Sequence, residues 1–480
     1  MLYYVHQFIY DSEFMWRYYT GLTVALFECI LLAWPPVALA SFDLFTTKQY
    51  VASGPFARSS EICRKNLIQH PLTLGDVVEL ALCNNPQTHS LWASSRAQVA
   101  QLGSSLSSYL PTLAGPISVS SSRSVAGATA TDSSQKGISL TISYLLYDFG
   151  GREASVENAK QLLLAANATR DETLQTVYLN AVQAYYTLLS SRASVRAFRA
   201  AEAAASRSLD AAAARYKAGI ATPSDRLTAQ TALSQAVLNR IRAEGDAANA
   251  QGALANIMGF DATQLFELAP MPEPVPDPVV EQGIGKLIEQ ARRNRPDLLA
   301  AEAQIKAAEA QLAVTKAAGL PTVSLSGSFS QSTSQSGGIN STSHGKGLGV
   351  TVNVPWFSGY RDTYNNRAAQ AQLEGKIADR DSVANQVALD VWKAYQTLLT
   401  NSYALRAAGD LLASAEQSEK MTSGRYHAGA GNILDVLAAQ SALANAQQQH
   451  VSALYNFQAS RFALAQAMGQ LDLTLLDTKN

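Results

Sequence analysis

The sequence predicts an α+β membrane protein built twice over, with each half supplying two strands of a β-barrel and a pair of long coiled α-helices. Three observations carry that expectation. With a shift of 210 residues the second half repeats the ordered landmarks of the first. Segments of strict apolar/polar alternation follow a Leu-Pro pair in each copy, as half-buried strands require. Beyond them, residues 151–218 and 361–428 contain no proline and could each extend about 100 Å as helix, at about 1.5 Å per residue.

The duplication keeps its register throughout. Asn85 and Pro86 answer Arg295 and Pro296, and Tyr109, Leu110 and Pro111 answer Gly319, Leu320 and Pro321. Tyr185 to Leu189 (YYTLL) answer Tyr395 to Leu399 (YQTLL). Arg215, Tyr216, Ala218, Gly219 and Asp225 answer Arg425, Tyr426, Ala428, Gly429 and Asp435, and Met258 and Gly259 answer Met468 and Gly469. Two equivalent halves joined by a linker follow, at 72–260 and 284–470, with the Pro-rich linker at 261–283 and a tail at 471–480.

Composition excludes several classes. Only 16% of the chain is charged, against about 25% in ordinary soluble domains, so much of its surface faces something other than bulk water. With 37 basic and 38 acidic residues there is no electrostatic case for nucleic acid. Cys29, Cys63 and Cys83 have no paired spacing and no two of the six histidines are spaced i, i+4, which speaks against a disulfide framework, a metal site or a bound cofactor. Gly345, Lys346 and Gly347 lack the remainder of a phosphate loop and read as loop glycines. No Gly-x-Ser-x-Gly nucleophile motif is present either, so an enzyme has no constellation to stand on.

Residues 1–40 read as a secretory signal. A mostly apolar run from Leu22 to Ala33, interrupted by Glu28, follows Arg17 and precedes Ala38, Leu39 and Ala40, the small-residue pattern of a cleavage site, placed after Ala40. The run falls short of the roughly 20 residues of a spanning helix. Met15 offers a second start, which would make residues 1–14 an over-extended reading frame. Residues 41–71 then form an extended segment.

Within each copy an Ala-rich helical segment (Thr73 to Leu110, Ile284 to Leu320) ends at Leu-Pro. The strands that follow are marked by Ile138, Leu140, Ile142 and Tyr144, by Val323, Leu325 and Phe329, and by Leu348, Val350 and Val352, each interleaved with small or polar residues. The strand around Ile117 and Val119 is the weakest. Polar segments from Val125 to Lys136 and from Ser332 to Lys346 read as loops. Tyr144, Tyr147, Phe149, Trp356 and Phe357 collect at the strand ends nearest the next helices, as an interfacial aromatic girdle does.

The long helices carry a seven-residue apolar cadence, with Leu174, Val177, Ala181, Tyr185 and Leu188 in one and Val387, Val391, Ala394 and Leu398 in the other, which suits side-by-side coiled packing. Gly219 and Gly429 suit the left-handed residue that ends a helix. Thr222 or Asn432 then caps a returning helix, with Asp225 or Asp435 in its first turn. Four strands of about ten residues are long enough for a membrane barrel but too few to close one, and open edges are not tolerated in hydrocarbon. Several chains must combine, two giving eight strands or three giving twelve.

The order helix, strand pair, long helix, tip turn and returning helix, given twice, resembles the TolC-type outer-membrane efflux proteins. So does the second tip, with Tyr426, Gly429, Asp435, Val436, Leu437 and Gln440 in the family's spacing. The resemblance covers about residues 70–470. It implies a homotrimer with a twelve-stranded barrel in the outer membrane and a tunnel of coiled helices across the periplasm. It also implies export, by type I protein secretion or multidrug efflux, together with a periplasmic adaptor (membrane fusion) protein and an inner-membrane ABC or proton-driven transporter. On the same basis the adaptor docks at Ala218, Gly219 and Ile220 and at Ala428, Gly429 and Ala430. Asp435 would ring the periplasmic entrance, and Asp225 and Tyr426 would form a gate contact. Gly431 and Ala438 stand where the family pattern has an arginine and a second aspartate, which counts against a tight latch. The alternative is a periplasmic or surface helical scaffold without transport, which leaves the amphipathic strands unexplained.

Overall fold

The computed structural model describes residues 45–46, 71–126, 129–269, 283–336 and 339–471. The chain divides into two units, Met1–Lys48 and Gln49–Asn480, and every element below belongs to the second. The signal at 1–40, nearly all of the extended segment at 41–71, the prolines from Pro270 to Pro278 and the tail beyond Leu471 lie outside the described residues.

In chain order the elements are α1 (Leu74–Asn84), α2 (Pro86–Leu106), β1 (Thr112–Ala114), β2 (Ile117–Ala126), β3 (Thr129–Tyr147), α3 (Gly151–Lys217) and α4 (Pro223–Ile257). The second copy gives α5 (Ile284–Asn294), α6 (Pro296–Ala317), β4 (Thr322–Ser336), β5 (Ile339–Asn353), α7 (Arg361–His427) and α8 (Ile433–Ala467). Six of the eight α-helices among the described residues begin and end in matching register across the duplication. No described helix is long and apolar enough to cross a membrane.

Helix ends follow from single residues. Thr73 caps α1 in a capping box, with its backbone N–H donating to Asp76 Oδ2 at 2.8 Å and the Asp76 N–H donating to Thr73 Oγ1 at 3.3 Å. Such a cap contributes about 1 kcal/mol. Asn85 caps α2, accepting from the Gln87 N–H at 2.9 Å, and Pro86 occupies the first turn, where its missing N–H costs nothing. In the second copy Arg295 replaces the cap with an ion pair to Asp297 at 2.6 Å and Asp390 at 3.4 Å.

The sheet is antiparallel throughout, in the order β1-β3-β4-β5, with β2 also on β3. The weak first strand is broken at Gly115 and Pro116 into β1 and β2, since proline has no N–H to give the ladder. Five strands therefore make four ribbons. The ribbons are longer than the expected ten residues: β3 has 19 and β4 and β5 have 15 each. The polar segments read as loops are mostly strand, and Gly345 and Gly347 sit mid-strand opposite Ser330 and Ser328. Segments rich in Ser, Thr and Gly show no apolar alternation to mark a strand; in the ladder, cross-strand hydroxyl contacts such as Ser122 Oγ to Ser133 Oγ at 2.7 Å accompany the continued main-chain pairing.

One face of the sheet is an exposed apolar stripe. Ile117 pairs with Ile138, Leu140 with Phe329, Tyr144 with Leu325 and Leu325 with Val350; Val350 is 63% exposed and Leu348 82%. At the lower rim Trp356 is 91% exposed, Phe357 stacks edge-on against Tyr360 at 5.6 Å, and Tyr147 does so against Phe149 at 4.8 Å. The junction to α3 is tied by Arg152, which donates to the carbonyls of Leu145 and Leu146 at 2.7 and 3.3 Å, pairs with Asp148 and lies over Tyr109.

The main core sits where the two copies meet. The heptad residues Leu174, Val177, Ala181, Tyr185 and Leu188 are buried against α1, the end of α4, and Leu72 and Phe266. Tyr186 packs on Tyr455 and Phe462 of α8. Burial pushes the Tyr185 and Tyr186 hydroxyls up to about 12. Residues up to Ala269 belong to this body, since Leu72 donates to the Glu267 carbonyl and accepts from the Ala269 N–H, both at 2.8 Å. A second core joins Leu287, Val387, Val391, Leu398 and Phe457. Arg170, 1% exposed, stacks on Trp92 at 4.5 Å and pairs with Asp171 at 2.8 Å; burial raises the Asp171 carboxyl, with Arg170 partly opposing.

Cys83 is disulfide-bonded, contrary to the expectation from spacing. Its partner lies outside the described residues. A disulfide joins positions that are close in space, which sequence separation does not report.

Candidate functional site at the helical tips

The two hairpins α3/α4 and α7/α8 end in turns built the same way. The Gly219 N–H donates to the Tyr216 carbonyl and the Ile220 N–H to the Arg215 carbonyl, each at 3.0 Å; Gly429 and Ala430 do the same to Tyr426 and Arg425 at 3.1 and 2.9 Å. This double bond pattern needs a left-handed residue, and φ is +73° at Gly219 and +80° at Gly429. A side chain at either glycine would meet open space. Ala218, Gly219 and Ile220 are exposed, as are Ala428, Gly429 and Ala430, so both triads stand free at the ends of the hairpins.

The returning helices start on caps. Thr222 and Asp225 form a capping box, with the Thr222 N–H donating to Asp225 Oδ2 at 2.9 Å and the Asp225 N–H donating to Thr222 Oγ1 at 3.2 Å. Asn432 accepts from the Leu434 N–H at 3.0 Å. Asp435 lies exposed in the first turn of α8, where the helix dipole favours an anion, and its carboxylate pairs with none of the described residues.

The hairpins meet just above the turns. Ala212 of α3, Ala229 of α4, Tyr426 of α7, and Ile433 and Val436 of α8 form a buried cluster. The guanidinium of Arg215 lies 4.0 Å from the centre of the Tyr426 ring and donates through Nη2 to the Tyr426 carbonyl. One turn further, Ser208 Oγ donates to Gln440 Oε1 at 3.2 Å. Arg215 on Tyr426 is thus the charged contact at the tip, beside the apolar cluster and the Ser208–Gln440 hydrogen bond. Within the chain Asp225 and Tyr426 are not hydrogen-bonded to each other: the aspartate serves its own cap, and the tyrosine is held by its ring and carbonyl. Sequence reasoning had Arg215 only as a duplicated landmark. Its signal was the repeated Arg-Tyr pair, but nothing in that pair told which tyrosine the arginine would reach.

The glycine at 431 has a steric cause. A Cβ there would stand 2.8 Å from the Tyr426 nitrogen and 3.1 Å from its Cα, closer than packed atoms allow, so the turn folded back on Tyr426 excludes an arginine at this position. Among the described residues no cluster of His, Cys, Asp or Glu could hold a metal ion.

The outer membrane efflux protein family matches residues 77–260 and 287–470, two segments in the register of the internal repeat. The chain is 29% identical over 407 residues to protein CyaE of Bordetella pertussis, covering 85% of this chain and 86% of the relative. It is 25% identical over 403 residues to outer membrane protein TolC of Vibrio cholerae, covering 83% and 91%. The solved outer-membrane channel OprN superposes with a TM-score of 0.73 at 20% identity, covering 83% of this chain and 90% of that one. The channel MtrE of Neisseria gonorrhoeae, solved in its open state, gives 0.65 at 22% identity, covering 83% and 89%. With its duplicated hairpins, its sheet bearing an exposed apolar stripe and matches of this extent, the chain belongs to the outer membrane efflux protein family, as an outer-membrane export channel whose helices reach into the periplasm.

Proposed function

We propose that three copies of the chain close a twelve-stranded barrel and that the helical tips receive a periplasmic adaptor carrying an inner-membrane ABC or proton-driven transporter. The observation that carries this reading is the sheet: four ribbons with an exposed apolar stripe, bounded at β1 and β2 on one side and at β5 on the other. Edges facing hydrocarbon must be paired, and pairing β5 of one copy with β1 and β2 of the next leaves none open. A scaffold in aqueous periplasm would have no use for such a stripe.

In this assembly the exposed triads Ala218–Ile220 and Ala428–Ala430 are the docking ends. Asp435 from each copy lines the entrance, and the Arg215–Tyr426 contact keeps the second hairpin against the first while the entrance is narrow. Asp225 contributes through its cap, not through Tyr426. The duct serves type I protein secretion or multidrug efflux alike, since the transporter chooses the cargo; no catalytic role is assigned.

The test is mass measurement of the mature protein extracted from the outer-membrane fraction in mild detergent, corrected for bound detergent. A trimer is expected. A monodisperse monomer, or recovery in the soluble periplasm, refutes the architecture, and export of a co-expressed substrate that survives deletion of the chain refutes the transport role.

A further inference from the structure

The strands segregate charge by face. Five charged or histidine side chains occur in them: Arg123, Asp132, Lys136, His344 and Lys346. Cross-strand register places all five on the face of the apolar stripe, in and above its upper part. Arg123 pairs with Asp132, their side chains 3.6 Å apart, Lys136 lies opposite Val119, His344 opposite Gln331, and Lys346 opposite Phe329.

The other face carries no charge along its length. On β4 every second residue from Ser324 to Ser334 is serine. The alternate positions of β2 from Ser118 to Ser124 are serine as well, and those of β3 from Ser133 to Ser143 hold only Ser, Thr, Gln and Gly. On β5 the same face, from Ser341 to Asn353, holds Ser, Gly, Thr and Asn. The pairings Thr141 with Ser328, Ser139 with Ser330 and Ser328 with Gly347 confirm that these positions share one face.

We infer that the sheet section of the channel is an electrically neutral bore, through which cationic and anionic cargo, including unfolded polypeptide of either net charge, passes without electrostatic selection. The inference rests on the channel reading, in which the face opposite the apolar stripe lines the lumen. Pores select by charge with rings of one sign; here the lining offers only hydroxyls and amides, which turn toward either sign. Charge on the outward face is separated from the bore by the sheet and screened over about 8 Å at physiological salt. Any preference for charge in the whole channel is therefore set along the helices and their tips.

The experiment places a thiol in the bore, Ser328→Cys, with the unsubstituted protein as blank. Modification rates are measured with two water-soluble methanethiosulfonate reagents, one carrying a trimethylammonium and the other a sulfonate, each relative to its rate with a free thiol. The expected ratio of relative rates is within about threefold of unity. Adding Ser326→Lys, a unit charge about 7 Å away in a watery bore, should displace the ratio by roughly tenfold. A ratio displaced tenfold or more without the added charge overturns the neutral bore. Reaction with neither reagent overturns the channel reading itself, and the inference with it. Thr141→Cys, across the ladder from Ser328, gives the same readout at a second position if the first variant does not assemble.

Discussion

Arg215→Ala tests the tip most directly, because that side chain joins the two hairpins. A cation over this buried ring contributes about 1–2 kcal/mol, and the hydrogen bond to the Tyr426 carbonyl about 1 kcal/mol more. Losing both shifts the balance between joined and separated hairpins by about 2–3 kcal/mol in each protomer, or roughly 30- to 150-fold. Single-channel recording in planar bilayers reads this as a larger share of time in higher-conductance states, with trimer and barrel unchanged. Arg215→Lys keeps the charge without the planar fork and should fall between parent and alanine. A double-mutant cycle with Tyr426→Leu, which spares the carbonyl acceptor, isolates the ring contact at about 1–2 kcal/mol. Tyr426→Phe should be nearly silent, since the hydroxyl has no hydrogen bond among the described residues, and Asp225→Ala should cost about the 1 kcal/mol of a lost cap. Conductance and dwell times of Arg215→Ala equal to the parent's, or an effect of Tyr426→Phe as large as that of Arg215→Ala, would refute the reasoning.

Three further outcomes are expected. Gly219→Ala should cost about 1–2 kcal/mol of backbone strain. Gly259→Ala should cost about 2–5 kcal/mol, because its Cβ would also stand 2.5 Å from the Asn84 carbonyl oxygen at φ +77°; thermal unfolding of the trimer ranks the two, and equal losses would discount the clash. Asp435→Asn should weaken block of the channel by divalent cations added from the periplasmic side, and block equal to the parent's would leave this aspartate as a helix-terminal acid only. Tyr185 and Tyr186 titrate at about 12 when folded against about 10 unfolded, so the stability they contribute is whole below pH 10 and drains away between pH 10 and 12. Denaturant unfolding across that range should show the fall, with Tyr186→Phe flattening it.

Much of this protein is local, and the sequence by itself determined that part. The 3.6-residue and two-residue periods, the glycines at φ +73° and +80°, the caps at Thr222 and Asn432 and the register of the repeat all depend on neighbours within a few positions. The need for partner chains followed too, from the number of strands set against the size of a barrel. The strand ends did not follow, because beyond the hydrocarbon both faces of a ribbon are polar and alternation fades, as in Ser332 to Lys346. Nor did the contacts that close over long separations. Arg215 reaches Tyr426 across 211 positions, Gly259 exists for the backbone of Asn84, and Gly431 is empty of a side chain because the turn returns onto Tyr426. Each is a matter of which atoms meet when helices of 67 residues lie side by side, and a sequence carries no distance between residues so far apart until packing brings them together.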